Sequence, residues 1–383
     1  MLTPSQRLNH LTTSIFSDMA ERKKEKISQG IQMIDLSIGS PDLPPPLNVR
    51  KRFAEEVLDD SSYQYAIKST EVFNEAVVYF YKERYNVHIQ STDVLQLMGS
   101  QDGLAHIALA YLDKGDVIIV PDPGYPIYSA SAHIAGAEIY YLPLTEENKF
   151  MPSLESIPED IRKRAKLMIM NYPGNPTAAL ADRNYFEDIV EFALRNHILI
   201  LHDFAYSELI FDNQEPLSIF SIPGAEKTAI EFNSLSKSFN MAGARIGYVI
   251  GDPSFLKPLA VLKSHLDYGV FLPIQQAAVE ALTGDFAFLE QHCQIYEQRR
   301  NVFIHSLHEI GWDVRQPDGG MFVWAKVPSR YTSITFSLAA LEAGVVVTPG
   351  NAFGNAGEGY VRIALVQSEE RLKEAAKRLK TIL

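Results

Sequence analysis

The sequence predicts an α/β protein, with one large, mostly parallel seven-stranded sheet covered by helices and a smaller α+β domain beside it. Three observations carry this expectation. Short apolar runs of about five residues recur from residue 94 to residue 250. Helical segments lie between many of them, and strands alternating with helices imply a parallel sheet covered on both faces. After about residue 285 the pattern changes to one long helix followed by short strands.

In chain order, Ile34–Pro46 reads as a strand followed by a stiff, proline-rich connection. Val94–Met98, Val117–Pro121, Glu138–Leu142, Leu167–Asn171, Ile198–His202, Ala229–Asn233 and Ile246–Ile250 read as buried strands, most of them rich in Val, Ile or Leu. Gly103–Asp113, Tyr125–Ala135 and Tyr185–Asn196 read as helices between them. Phe286–Ile310 reads as the long helix, and Asp313–Arg315, Met321–Lys326, Val345–Val347 and Tyr360–Ala364 as short strands before a closing helix from Glu369. The expected division is an N-terminal segment 1–45 that joins the small domain, a large domain 46–285 and a small C-terminal domain 286–383.

Composition narrows the function. A chain of 383 residues, 46% hydrophobic and 21% charged, can bury a sizeable core without metals or disulfides. The 35 basic against 47 acidic residues leave a net charge of −12, which argues against nucleic acid or an anionic membrane as the main partner. The lone Cys293 excludes an intrachain disulfide and a cysteine-based zinc site. Met1–Lys26 is polar and has no signal-peptide core, and no apolar run approaches the ~18 residues of a membrane span. A cytoplasmic enzyme is expected. No helical metal motif or serine-hydrolase elbow is apparent, and no metal is expected.

In parallel sheets, ligands bind beyond the carboxyl ends of the strands. There lies the most informative stretch, Ser234-Leu-Ser-Lys237-Ser-Phe-Asn-Met-Ala-Gly243-Ala-Arg245-Ile-Gly247. Small hydroxylated residues surround one lysine, and an arginine follows eight positions on. Such a lysine can form an imine with an aldehyde. Ser234, Ser236 and Arg245 can bind a dianionic phosphate through charge-assisted hydrogen bonds.

This stretch resembles the pyridoxal-phosphate attachment signature of class-I/II aminotransferases of fold type I. The family's other motifs follow in order across nearly the whole chain. Pro121-Asp-Pro-Gly-Tyr-Pro126, Pro143-Leu-Thr-Glu-Glu-Asn148 and Thr348-Pro-Gly-Asn351 are most similar to the bacterial LL-diaminopimelate, alanine and aspartate aminotransferase group. The resemblance implies pyridoxal 5'-phosphate as cofactor, held by Lys237 as a Schiff base, and ping-pong transfer of an amino group from an L-amino acid to a 2-oxo acid. Gly99-Ser100-Gln101-Asp102-Gly103 becomes an anion site for the phosphate, with amides at a helix N-terminus. Tyr125 stacks on the cofactor ring. Asn175, in Asn171-Tyr-Pro-Gly-Asn175-Pro-Thr177, donates to the phenolic oxygen. Asp203 keeps the ring nitrogen protonated, and Tyr206 reaches the phenolic oxygen. Arg362 clamps the substrate α-carboxylate, and Gly39 lies beside the substrate. Tyr65 crosses to the cofactor phosphate of a neighbouring subunit, which implies a homodimer with shared active sites.

The chain departs from the family at Ala66-Ile-Lys-Ser-Thr70, Ala178 and Ala244, none of which removes a catalytic group. His106 and His133 read as core or half-buried residues, and His202, next to Asp203 on a strand, as structural or a neighbour of the cofactor. Val261–Gly269 offers Lys263 and His265 but no arginine for a second substrate carboxylate, so tolerance for several donors is expected. The same residues would serve a carbon–sulfur β-lyase on the same fold, and a non-enzymatic cofactor-binding sensor is a third reading.

Overall fold

The computed structural model describes residues 2, 3, 5–11 and 14–383, apart from the side chains of residues 10 and 14–18. Its centre is the seven-stranded sheet, built from β2 (Val94–Leu97), β3 (Val117–Asp122), β4 (Glu138–Pro143), β5 (Ala165–Met170), β6 (Leu199–Asp203), β7 (Ala229–Ser234) and β8 (Gly247–Gly251); β1 (Ile34–Asp35) lies outside it. The spatial order is β2-β8-β7-β6-β5-β3-β4, and only β8 runs against the others. Every residue of β3, β6 and β7 is buried, which is why these strands read as continuous apolar runs without alternation. Separate apolar cores fill the two faces, one around Ile119, Met168 and Ile200, the other around Ile118, Leu201 and Phe232.

The expected helices form with slightly shifted ends, at Ser100–Tyr111, Ile127–Ala135 and Arg183–Asn196. The last shows local sequence control plainly. Asp182 accepts a hydrogen bond from the Tyr185 amide at its start, and His197 ends it in the left-handed region at φ 56°.

The second unit centres on β9 (Phe322–Lys326), β10 (Val345–Val346), β11 (Thr348–Pro349) and β12 (Tyr360–Ala364), with helices Ala287–Glu309 and Glu369–Leu379 packed together. β1 lies parallel to β10, and the Ala364 amide donates to the Leu36 carbonyl at 2.8 Å. Ile34 and Leu36 are fully buried in this core. The N-terminal strand is thus fixed, and it delivers Ser37–Gly39 to the carboxyl ends of the central strands of the large sheet. Arg299 secures the connection beyond by gripping Asp42 through two bonds of 2.7 and 2.8 Å.

One expected strand is absent. Asp313–Arg315 joins no sheet. His308 meets the Val314 carbonyl, and the Arg315 guanidinium lies over the Phe150 ring. No helix among the described residues is long and apolar enough to cross a membrane.

Candidate active site

A cavity of about 600 Å³ opens at the carboxyl ends of β5, β6 and β7. Ser100, Gln101, Tyr125, Asn175, Asp203 and Tyr206 line it, as do Ser234, Ser236, Lys237, Arg245, Gly39 and Arg362. These come from segments up to 323 residues apart, and the fold converges them on one place.

Lys237 sits on a one-turn helix, Leu235–Ser238, that starts as β7 ends. Ser234 caps it, with its Oγ accepting from the Ser236 amide. The Lys237 ammonium donates to the Gly39 carbonyl. Burial, then the nearby Arg362 and Arg245 charges, pull the Lys237 amine down to about 8. An amine with that pKa is neutral in part near pH 7 and can act as nucleophile and proton acceptor.

Asp203 ends β6 with its carboxylate buried in the cavity floor. Burial pushes its pKa up, while a 2.7 Å bond from the Tyr128 hydroxyl and a weaker one from the Ala205 amide oppose the rise. That leaves acceptor capacity free for one further cationic donor. Tyr206 lies beneath, its hydroxyl pushed well up by burial.

Arg362 projects from β12 and is buried. It donates to Asn175 Oδ1 at 3.0 Å and to the Ser37 carbonyl at 2.7 Å, and its Nε has no partner. Its guanidinium lies 4.2 Å from the Phe322 ring centre and 4.6 Å from that of Phe353. Burial pulls its pKa down to about 10, so it still carries its charge at neutral pH. A fixed guanidinium with spare donors fits a carboxylate.

Opposite, Gly99 begins the helix Ser100–Tyr111 at φ 80°. A Cβ there would come 2.6 Å from Arg245 Nη2, so only glycine lets the guanidinium lie on the turn. A Cβ on Gly247 would approach the Ser100 amide to 2.9 Å. Helix-start amides, Ser234, Ser236 and Arg245 together fit a dianionic phosphate. The residues present therefore fit pyridoxal phosphate at both its ends: a cationic, amide-rich cup and a buried carboxylate.

Tyr65 is not in this cavity. It is exposed, with its ring edge-on to Tyr268 at 5.2 Å. Lys263 is also elsewhere. It forms buried ion pairs with Asp102 and Asp267, and Asp102 in turn accepts from the Met98 amide at 2.9 Å. Lys263 thus braces the anion turn from behind, and His265 is exposed. His106 is half-buried against Asp102. His202 faces away from the cavity, toward Glu231 at 2.7 Å.

Several residues escaped the sequence reading. Tyr128 holds Asp203, although it stands only three positions after Tyr125. Asn171 bridges the Pro173 and Asp203 carbonyls and accepts from the Asn175 amide at 2.7 Å. It begins the motif from which only Asn175 was assigned. His292, from the helix Ala287–Glu309, meets the Lys237 carbonyl at 3.0 Å, and no local pattern announces that contact. Burial pulls the His292 imidazole down to about 4.

Residues 31–379 match the family model described as aminotransferase class I and II. An LL-diaminopimelate aminotransferase of Moorella thermoacetica is 41% identical over 382 residues, covering 99% of this chain and 98% of that one. Among solved structures, apo BacF of Bacillus subtilis superposes with a TM-score of 0.96 at 36% identity, covering 100% and 98% of the two chains. A probable N-succinyldiaminopimelate aminotransferase of Thermus thermophilus gives 0.92 at 35%, covering 96% and 100%.

Proposed function

The chain belongs to the class I and II aminotransferases, and from that premise we propose that Lys237 is the covalent anchor of its cofactor and the group that moves the substrate proton. The cofactor is pyridoxal 5'-phosphate, and the reaction moves an amino group from an L-amino acid to a 2-oxo acid in ping-pong fashion. The observation that carries the proposal is one depressed-pKa amine between two fixed charges, the Asp203 carboxylate and the Arg362 guanidinium, in a single cavity.

When bound, pyridoxal phosphate supplies the aldehyde that takes up the amino group and the electron-poor ring that weakens the substrate's Cα–H bond. The chain supplies the rest. Ser100, Gln101, Ser234, Ser236 and Arg245 would hold the phosphate, and Tyr125 would pack on the ring. Asp203, kept in place by Tyr128 and the Ala205 amide, holds a proton on the ring nitrogen. Asn175 and Tyr206 orient the phenolic oxygen. Arg362 takes the substrate α-carboxylate beside Gly39. Lys237 would take the substrate Cα proton as general base and return a proton as general acid.

The domain division at about residues 45 and 285 belongs to the same reading, supported by the shared core of Ile34, Leu36 and the C-terminal strands. So does a homodimer that brings Tyr65 to a neighbour's phosphate, supported by an exposed apolar surface of Tyr63, Tyr65, Ile67, Leu266 and Tyr268. LL-Diaminopimelate, for which the Moorella relative is named, is one donor to test.

The test is exchange of the donor's Cα proton in deuterated water. The cofactor-loaded enzyme should exchange it, and Lys237→Ala should slow exchange at least ~1000-fold, with partial rescue by added methylamine. Exchange by Lys237→Ala at the unmodified rate would refute the assignment.

A further inference from the structure

The cavity around Lys237 does not end at Tyr125 and Phe353. A second cavity of about 460 Å³ opens beyond them. The two share Tyr125, Pro126, Ile127, Ala130 and Phe353 in their walls.

The helix Ile127–Ala135 explains the second cavity's character. Tyr128, Ser131 and Ala132 are buried on the side that faces the sheet. Ile127, Ala130 and Ile134 are only half-buried, and at i, i+3 and i+7 they form one stripe along the helix. That stripe is apolar and only partly taken up by the core, and it faces the cavity. The short 3₁₀ helix Gln6–His10 packs against the same helix, and Leu11 after it supplies a far wall. Tyr141, Ser129 and Asn355 add polar but uncharged groups. Among the described residues no charged side chain lines this cavity. In the first cavity the charged groups are Asp203, Lys237, Arg245 and Arg362, each with a task already assigned.

Phe353 joins the two. One face of it lies against the Arg362 guanidinium, 4.6 Å from the ring centre, and it also walls the second cavity. An amino acid with its carboxylate on Arg362 and its nitrogen toward Lys237 can direct its side chain past Tyr125 and Phe353 into the second cavity. Ile38, 62% exposed and at the mouth of the first cavity, adds apolar surface along that path.

We propose that the second cavity is the side-chain subsite, and that it takes an apolar side chain, branched aliphatic or aromatic. The proposal rests on the assignment of Arg362 as carboxylate clamp. A donor with a distal carboxylate or ammonium would bring an unpaired charge into walls that hold no counter-charge among the described residues, a strongly unfavourable transfer. Lys263, the only lysine in the segment where a second clamp was sought, is withdrawn into its pairs with Asp102 and Asp267. The chain thus departs in donor class from a relative named for a diamino-dicarboxylate, whose far end carries both an ammonium and a carboxylate.

The experiment uses the cofactor-loaded enzyme without acceptor. Leucine, methionine, phenylalanine, aspartate and LL-diaminopimelate are each mixed with it, and the second-order rate of loss of its near-visible absorbance is measured. The apolar donors should exceed aspartate and LL-diaminopimelate by about a hundredfold. Either charged donor coming within tenfold of the best apolar one would overturn the proposal and leave aminotransfer intact. Loss of absorbance with none of the donors would instead count against the proposed function. Binding gives a second readout independent of turnover. By calorimetry, 3-phenylpropanoate should bind at least tenfold tighter than pentanedioate. Ala130→Glu should cut the ratio of 3-phenylpropanoate to propanoate affinity at least tenfold. An unchanged ratio would place the side chain elsewhere.

Discussion

Two buried charged clusters flank one strand and behave in opposite ways. On one face of β6, Asp203 points into the cavity with one strong hydrogen bond, from Tyr128, and one weaker one, from Ala205. On the other face, its neighbour His202 meets Glu231, and both are fully buried. Glu231 also accepts from the Tyr81 hydroxyl, the Ser218 hydroxyl and the Ile219 amide, at 2.8, 2.8 and 2.9 Å. The second ring nitrogen of His202 faces the Tyr172 carbonyl at 3.2 Å. Every polar atom in that cluster has a partner. The cavity cluster is deliberately incomplete by comparison: Asp203 has acceptor capacity to spare, and Arg362 Nε is buried without a partner. A saturated buried network holds a fold together, whereas an unsaturated one waits for a ligand.

That contrast orders what substitutions should do. The largest effect is expected at Asp203. Asp203→Ala should retain bound cofactor yet lower turnover about a thousandfold, since the ring nitrogen loses its counter-charge. Cofactor content by absorbance and steady-state rates check both halves. Near-normal turnover at full occupancy would move Asp203 to the structural class. Glu231→Gln should do the reverse. It replaces the buried carboxylate that His202, Tyr81, Ser218 and Ile219 all meet by a neutral amide with one acceptor oxygen, and should cost about 3–5 kcal/mol of stability in urea unfolding. Turnover per folded molecule should change by less than about tenfold. Intact stability with collapsed turnover would erase the distinction between the two faces.

Much of this contrast was legible in the sequence, and its limits have physical reasons. Most of the central strands could be read because they are short apolar runs buried on both faces, whereas Glu138–Pro143, read as buried, is the sheet's edge strand and buries only Leu142. Asp203 and His202 were separable in advance because adjacent strand residues point to opposite faces. Asp313–Arg315 was misread because an extended, half-apolar triplet looks the same whether or not a partner strand exists. The partners of working residues were the hardest part. Tyr128, Asn171 and His292 act through tertiary contacts spanning 75, 32 and 55 residues, and nothing in their local pattern separates a supporting tyrosine from a packed one. Lys263 shows the converse: as an available cation near the attachment loop it looked free for substrate, and burial with two aspartates removed it.

Smaller effects sharpen the same boundary. Tyr128→Phe removes one hydrogen bond to a charged group, so kcat/KM should fall about tenfold with little loss of stability. A loss confined to stability would mean that Asp203 needs no orientation. The pH dependence of cofactor capture is smaller still over a working range. The Lys237 amine is lowered to about 8, and only its neutral form attacks an aldehyde. In cofactor-stripped enzyme, the capture rate should therefore rise about tenfold per pH unit well below 8 and level off above it. A rise continuing toward the ordinary lysine value near 10.4 would show that burial and the two arginines do not act on this amine.

The anchor itself admits the most direct measurement. Borohydride reduction of the cofactor-loaded enzyme, followed by proteolysis and mass spectrometry, should find the phosphopyridoxyl mass on the peptide carrying Lys237 and on no other. Finding it on Lys263, or on any lysine outside the cavity, would contradict the account at its centre.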